Sequence, residues 1–96
     1  MFELPKKKIA AFCRKHHIAK LSLFGSALTE DFGPESDVDF LVEFEPGHVP
    51  GLIRFAGMEL ELTEIIGRKA DLRTAPEISK YFRDEVLAAA VVQYAR

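Results

Sequence analysis

Residues 21–26 read Leu-Ser-Leu-Phe-Gly-Ser, and residues 37–42 read Asp-Val-Asp-Phe-Leu-Val, with ten residues between the two stretches. Each stretch contains a short apolar run bounded by polar residues, which is typical of a buried β-strand. The Gly-Ser pair ends the first run, whereas the Asp-Val-Asp triplet opens the second. If both polar ends contact one ligand, the two strands must run antiparallel.

The aspartates of the second stretch indicate a cation site. Asp37 and Asp39 are two positions apart, so on a strand both carboxylates project from the same face. A third acid, Asp71, lies in the short segment 69–72, beyond a helical pattern. Three carboxylates on neighbouring strands would form a cluster that two divalent cations can neutralise. That arrangement can hold a nucleoside triphosphate and transfer one of its phosphoryl groups.

Gly25 and Ser26 are the candidate phosphate-binding residues. Gly25 has no Cβ, so backbone N–H groups there can approach phosphate oxygens closely. Ser26 offers a hydroxyl to a terminal phosphate oxygen and can also cap a short helix predicted over residues 27–31. The N-terminus of that helix would add the positive end of a dipole. Alone, a Gly-Ser pair most often marks a tight turn, so the assignment depends on its combination with the aspartates.

The spacing of apolar residues predicts the element order α-β-α-β-α-β-α. The long helix between strands two and three favours a right-handed crossover, which places those two strands parallel. We therefore predict an α/β (α+β) fold with a small, mixed, three-stranded sheet flanked by helices. The predicted strands are 21–24, 39–44 and 70–73, and the predicted helices are 5–16, 27–31, 52–66 and a last one from 76 to about 94.

Length and composition predict one small domain over residues 1–96. Hydrophobic content of 48% and charged content of 29% are ordinary for a globular protein, and no apolar run approaches the length of about 20 residues that spans a membrane. The first residues do not resemble a signal peptide. Cys13 has no second cysteine with which to form a disulfide, so we expect a reducing, cytoplasmic location.

Charge is distributed unevenly although the net charge is only −2. Residues 1–20 carry six basic residues and one acid, whereas residues 26–64 carry ten acids and one arginine. An acidic middle favours cation binding over direct phosphate binding, so we do not expect the chain to bind nucleic acid directly. The basic start is explained either as a solvated helix face or as a contact surface for an anionic partner.

The chain resembles the nucleotidyltransferase superfamily related to DNA polymerase beta. Two segments carry the resemblance: Leu23-Phe24-Gly25-Ser26 and Ser36-Asp37-Val38-Asp39-Phe40-Leu41-Val42. Within it, the chain is most similar to the minimal nucleotidyltransferase (MNT) proteins of bacteria and archaea. Gly67-Arg68-Lys69-Ala70-Asp71-Leu72 resembles the strand that carries the third carboxylate of that family. The resemblance extends over nearly the whole chain, although only these segments are specific.

The resemblance implies a polymerase-beta-like core and a role for each candidate residue. Asp37 and Asp39 would bind both Mg²⁺ ions, and Asp71 would complete the catalytic metal site. Gly25 and Ser26 would hold the triphosphate of ATP. The implied activity is Mg²⁺-dependent transfer of AMP from ATP to an acceptor hydroxyl.

One departure from the MNT pattern lies directly after the Gly-Ser pair. Many MNT sequences carry an arginine there, whereas residues 27–31 read Ala-Leu-Thr-Glu-Asp. That cation could be replaced by Lys69, by Arg68 or by a basic residue of a partner. If it is not replaced, we expect slow nucleotidyl transfer.

The resemblance also implies a partner, because the chain lacks the second domain with which larger nucleotidyltransferases hold base and acceptor. MNT proteins commonly act with a helical HEPN protein as toxin–antitoxin pairs, and the leading hypothesis is transfer of AMP to a tyrosine of a HEPN toxin. The main alternative is an antitoxin that inhibits its partner by contact, with weak or no catalysis, through the apolar stretch 86–92. The preferred nucleotide and a homo- or hetero-oligomeric state stay open.

Other functions and a zinc site have weaker support in the sequence. Transfer of the nucleotide to a small molecule such as an aminoglycoside would need an acceptor-binding domain, for which the sequence gives no sign. Self-modification would use the hydroxyl group of Tyr81 or Tyr94. His16, His17 and His48 have no cysteine or histidine companions at zinc-site spacing, so the sequence predicts no structural zinc site.

Overall fold

The computed structural model describes residues 4–29, 33 and 35–96. The elements are α1 (Lys6–Lys15), β1 (Ile18–Phe24), β2 (Val38–Phe44), α2 (Leu52–Ile66), β3 (Ala70–Arg73), α3 (Arg83–Ala89) and β4 (Val91–Ala95), with 3₁₀ turns at Gly25–Leu28 and Ala75–Glu77. None of the helices in these ranges is long and apolar enough to cross a lipid bilayer.

β2 lies inside the sheet, whose strand order is β3-β2-β1-β4. β1 pairs antiparallel with both β2 and β4, whereas β2 and β3 are parallel. The strand directions predicted from the sequence are therefore confirmed. Parallel strands need a long connection, and here the 15-residue helix α2 supplies it.

Alternate side chains of β2 project to opposite faces of the sheet, with the main apolar core on one side and Asp39 and the buried Leu41 on the other. Val38, Phe40 and Val42 are almost completely buried and belong to one apolar cluster with residues of α1 and α2. Burying each large apolar side chain contributes about 1.5–3 kcal/mol. Asp39 lies between Val38 and Phe40, so its side chain projects from the opposite face. The register of β2 is consequently fixed, since a slip of one residue would turn Asp39 into the core.

Two residues with positive φ end the helices that precede strands. Gly67 has φ 73° after α2, and its N–H donates to the carbonyl oxygen of Thr63 at 2.9 Å. Gly67 is therefore the C-cap of α2. His17, at the end of α1, has φ 56°. Histidine tolerates this backbone region better than most non-glycine residues.

The C-terminal segment differs from the predicted last helix. Only residues 83–89 form the helix α3, and residues 91–95 form a strand that pairs with β1. The helix prediction is therefore wrong at residues 78–82, which form a bend and turns before α3, and at residues 90–94. The described part of the sheet has four strands rather than three. Val91 and Val92 are β-branched and favour a strand, and pairing with β1 satisfies their backbone. The predicted fold class, α/β with a small mixed sheet, is confirmed.

Glu61 of α2 connects α2 to the end of α1. Its Oε1 lies 2.9 Å from His16 Nε2, and Lys15 Nζ donates to its Oε2 at 3.0 Å. Burial raises the pKa of the Glu61 carboxyl, but the hydrogen bonds with His16 and Lys15 outweigh burial and hold this pKa below its ordinary value. A carboxyl whose pKa is lower in the folded chain stabilises the fold above its unfolded pKa. That contribution is lost as the pH falls through the folded pKa.

We expect Glu61→Gln to lower the free energy of unfolding at neutral pH, because the variant has no ionised carboxylate between α1 and α2. The difference from the unsubstituted protein should shrink below about pH 4, near the pKa of a glutamate in an unfolded chain. Urea denaturation across this pH range measures it. Glu64→Gln, at an exposed position of the same helix, is the matched control. A difference that does not change with pH would contradict the role of the ionised carboxylate.

Candidate active site

The sheet places two of the predicted aspartates side by side. Asp39 of β2 and Asp71 of β3 are direct neighbours in the parallel register. Neighbouring strands lie about 4.8 Å apart, and paired positions project from the same face. Phe24, the last residue of β1, pairs with Asp39 from the other side. The end of β1 and the aspartates of β2 and β3 therefore meet around Asp39.

Gly25 packs directly against the Asp39 carboxylate. A Cβ added to Gly25 would lie 2.6 Å from Asp39 Oδ2, which is closer than real Cβ contacts come. Gly25 also has φ 70°, a conformation that favours glycine. The sequence suggested glycine here for close approach to a phosphate. The structure adds a second reason, since any side chain at Gly25 would displace Asp39.

Asp37 lies just before β2. The loop segment that precedes Asp37 is held by hydrogen bonds from Arg68, which lies in the connection between α2 and β3. The Arg68 guanidinium donates to the carbonyl oxygens of Gly33 and Ser36, the latter at 2.9 Å. Lys69 Nζ lies 3.7 Å from Asp37 Oδ2. Two cations were considered as substitutes for the absent loop arginine. Lys69 contacts the predicted site residue Asp37, and Arg68 holds the backbone of the preceding loop segment.

Two side chains of α2 fix the edge strand that carries Asp71. Glu59 Oε2 accepts a hydrogen bond from the backbone N–H of Leu72 at 2.8 Å, and Thr63 Oγ1 accepts one from Ala70 at 2.9 Å. These N–H groups lie on either side of Asp71 in sequence. Because β3 is an edge strand, its outward N–H groups need such partners. Glu59 and Thr63 thus position Asp71 without being part of the carboxylate cluster.

The donor set suits a hard cation such as Mg²⁺, which proteins bind through one or two carboxylates together with substrate phosphates. The Asp37 and Asp71 side chains are 46% and 28% exposed, so a hydrated ion can reach them. Arg73 lies 3.3 Å from Asp71 Oδ2, and Lys69 is near Asp37. Two cationic side chains therefore lie beside these carboxylates and reduce the repulsion between their like charges.

The Gly-Ser end of the site differs in part from the prediction. The short helix predicted over residues 27–31 is a 3₁₀ helix that begins earlier, at Gly25, and ends at Leu28, so the prediction is wrong at residue 29. Residues 30 and 31 lie outside the described part of the chain. The side chain of Ser26 is also outside it, so its hydroxyl stays a prediction. A groove beside Gly25 runs between this turn and α3, with Leu28 and Val86 among its lining residues.

The supporting contacts of Glu59, Thr63 and Arg68 were not found by sequence reasoning, which considered Arg68 only as a substitute cation. Each acts through a hydrogen bond to the backbone of another element. Glu59 and Thr63 are spaced one turn apart on α2, which agrees with a polar helix face as well as with a supporting role. No local signal distinguished the two cases.

Comparisons with known proteins bear on the family and the fold of the chain. The family model described as "Nucleotidyltransferase domain" matches residues 6–92. A proposed protein adenylyltransferase of Methanocaldococcus jannaschii is 34% identical over 86 residues, which is 90% of this chain and 90% of that protein.

Three solved structures share the fold. A proposed minimal nucleotidyltransferase aligns with a TM-score of 0.72 at 27% identity, over 90% of this chain and 86% of the other. A toxin–antitoxin complex with AMP-PNP aligns with a TM-score of 0.76 at 19% identity, over 97% and 75%. A complex of the tri-AMPylated Shewanella oneidensis HEPN toxin with its MNT antitoxin aligns at 0.67 and 17%, over 95% and 70%.

We expect Gly25→Ala to lower the free energy of unfolding by about 1–2 kcal/mol, because alanine is strained at positive φ. It should also displace the Asp39 carboxylate. Gly57→Ala is the matched control, since Gly57 lies in the middle of α2 with open space around it. That change should raise stability by about 0.5–1 kcal/mol. Urea denaturation measures both, and a Gly25→Ala variant as stable as the unsubstituted protein would contradict the close packing.

Proposed function

The chain belongs to the nucleotidyltransferase domain family and is a nucleotidyltransferase, and from this premise we propose that it transfers AMP from ATP to a tyrosine hydroxyl of a HEPN-domain toxin. The observation that carries the proposal is the placement of Asp39 beside Asp71, with Gly25 packed against Asp39. Support for the acceptor comes from the AMPylated HEPN toxin in the fold neighbour, and support for the donor from the neighbour with AMP-PNP.

The acidic face is where Mg²⁺ and the triphosphate would be held. We assign Asp37, Asp39 and Asp71 as the ligands of two Mg²⁺ ions. When bound, these ions supply Lewis acidity and neutralise the charge of the phosphates and the pyrophosphate leaving group. Gly25 lets the backbone of the 3₁₀ turn approach the phosphates, and Ser26 would donate its hydroxyl to them. Lys69 would add a positive charge beside Asp37, in place of the loop arginine of other MNT sequences.

The reaction proceeds by in-line displacement at the α-phosphorus. A bond forms between the acceptor oxygen and the α-phosphorus, the bond to the oxygen bridging the α- and β-phosphates breaks, and pyrophosphate leaves with the electron pair. We assign Asp71 to accept the hydroxyl proton, since it projects from the same face as Asp39. Positioning by Arg68, Glu59 and the sheet register supplies the orientation on which phosphoryl transfer depends.

The acceptor tyrosine comes from a second protein in this proposal. The described residues place two tyrosines elsewhere: Tyr81 is 79% exposed before α3, and Tyr94 on β4 packs partly against the core. Self-modification is therefore tested directly, by asking which polypeptide carries the label.

Contact inhibition without transfer is the second candidate. The apolar stretch 86–92, which suggested it, is not one helix, because α3 ends at Ala89 and β4 begins at Val91. Inhibition by contact would now depend on Val91 and Val92, which are each 48% exposed on an edge strand of the sheet. It predicts neutralisation of the toxin by a chain that lacks the carboxylates.

The test uses ATP labelled at the α-phosphate, Mg²⁺ and each HEPN-domain protein encoded in the same genome. We expect label on a tyrosine of one such protein, and none from ATP labelled at the γ-phosphate. Asp37→Asn should reduce the transfer rate by about a hundredfold or more, because it removes charge stabilisation at the reacting phosphate. Glu35→Gln, which removes one exposed charge from the same segment, should change the rate little.

Two results would contradict the proposal. Transfer undiminished in Asp37→Asn would exclude this site, and γ-label on the acceptor would mean phosphoryl rather than nucleotidyl transfer. Neutralisation of the toxin by Asp37→Asn, without any label, would favour inhibition by contact.

A further inference from the structure

A second cluster of metal-binding side chains lies at the other end of β2. It consists of His17 at the end of α1, Glu45 directly after β2 and His48 in the loop that follows. One ligand atom of each residue lies within 4.8 Å of those of the other two. A strand rises about 3.3 Å per residue, so Glu45 is about 20 Å from Asp39. The cluster is therefore separate from the candidate active site.

Backbone hydrogen bonds hold the three residues together. The N–H of Glu45 donates to the carbonyl oxygen of His17 at 2.9 Å, and the N–H of His48 donates to that of Glu45 at 3.0 Å. The imidazole rings of His17 and His48 stack with centroids 3.9 Å apart. The ligands are thus assembled by the main chain, so less side-chain entropy is lost when they converge on an ion.

We propose that His17, Glu45 and His48 bind a divalent transition metal ion, with Zn²⁺ as the favoured ion and a fourth position open to water or an external ligand. Two imidazoles and one carboxylate form a donor set that suits Zn²⁺ in this way, whereas Mg²⁺ prefers oxygen alone. Arg96 Nη1 lies 3.2 Å from Glu45 Oε1, and the other carboxylate oxygen of Glu45 would bind the ion. The ion connects the turn before β1 to the loop after β2 and stabilises both.

Small side-chain rotations complete the coordination. Tetrahedral ligation with bonds of about 2.0–2.2 Å separates ligand atoms by about 3.4 Å, against at most 4.8 Å in the structure. The stacked rings must tilt so that one nitrogen of each faces the ion. This motion gives a specific signature: the NMR signals of the His17 and His48 rings should shift on binding. The ring of His16, which contacts Glu61, should not respond.

The sequence expectation of no structural zinc site rested on motif spacing. His17 and His48 are far apart in the chain, and the antiparallel pairing of β1 with β2 brings them together, since Ile18 faces Phe44. A spacing rule for local motifs does not detect ligands that two loops contribute separately.

The test is a calorimetric titration of Zn²⁺ into the purified chain, with Mg²⁺ in excess to occupy sites made of oxygen alone. We expect one Zn²⁺ per chain and a rise in the thermal midpoint with Zn²⁺ concentration. Loss of an outer-shell partner alone typically costs 10–100-fold in metal affinity, so His48→Ala and Glu45→Gln should each weaken binding by about a hundredfold or more.

Two control variants make the result specific. Glu43→Gln removes one exposed charge from the same strand, and Asp39→Asn alters the distant carboxylate cluster, so both should keep Zn²⁺ binding. The proposal is overturned if the unsubstituted chain binds no stoichiometric Zn²⁺. It is also overturned if Asp39→Asn abolishes binding while His48→Ala retains it, or if Glu43→Gln weakens binding as much as Glu45→Gln.

Discussion

The antiparallel pairing of β1 with β2 joins Phe24 to Asp39 at one end and, beyond a register shift between Ile18 and Lys20, Ile18 to Phe44 at the other. Burial of the apolar face of β2 fixes this register, because a slip would turn Asp39 into the core. One end of the pairing then brings Gly25 onto the Asp39 carboxylate. The other end brings the turn after α1 onto Glu45. Both candidate sites therefore follow from the same constraint.

Asp39 and Asp71 are neighbours on adjacent strands, so their like charges repel each other. Like charges on adjacent strands destabilise a sheet, by up to about 1 kcal/mol for a directly opposed pair. Arg73 beside Asp71 and Lys69 beside Asp37 reduce that repulsion. The backbone bonds from Glu59 and Thr63 keep β3 in register. These contacts therefore hold Asp39 and Asp71 in adjacent positions on the sheet.

Much of this architecture could be predicted from the sequence because its signals are local. The helix α2 and the strand β3 were predicted at their observed bounds, since Gly67 ends a clear helical pattern. The run 86–92 was ambiguous, because a short apolar run fits a helix or a strand, and pairing of β4 with β1 decided the outcome. Asp39 beside Asp71 could be predicted from motif spacing. The supporting bonds of Arg68, Glu59 and Thr63 could not, because they join elements that are distant in sequence.

We propose above that Asp39, packed against Gly25 and paired with Asp71, belongs to a Mg²⁺-dependent triphosphate site. The first experiment is a calorimetric titration of ATP into the purified chain, with and without Mg²⁺ and beside Asp39→Asn. We expect binding that requires Mg²⁺ and is lost in Asp39→Asn. Binding of equal strength in the variant, or binding that does not depend on Mg²⁺, would contradict it.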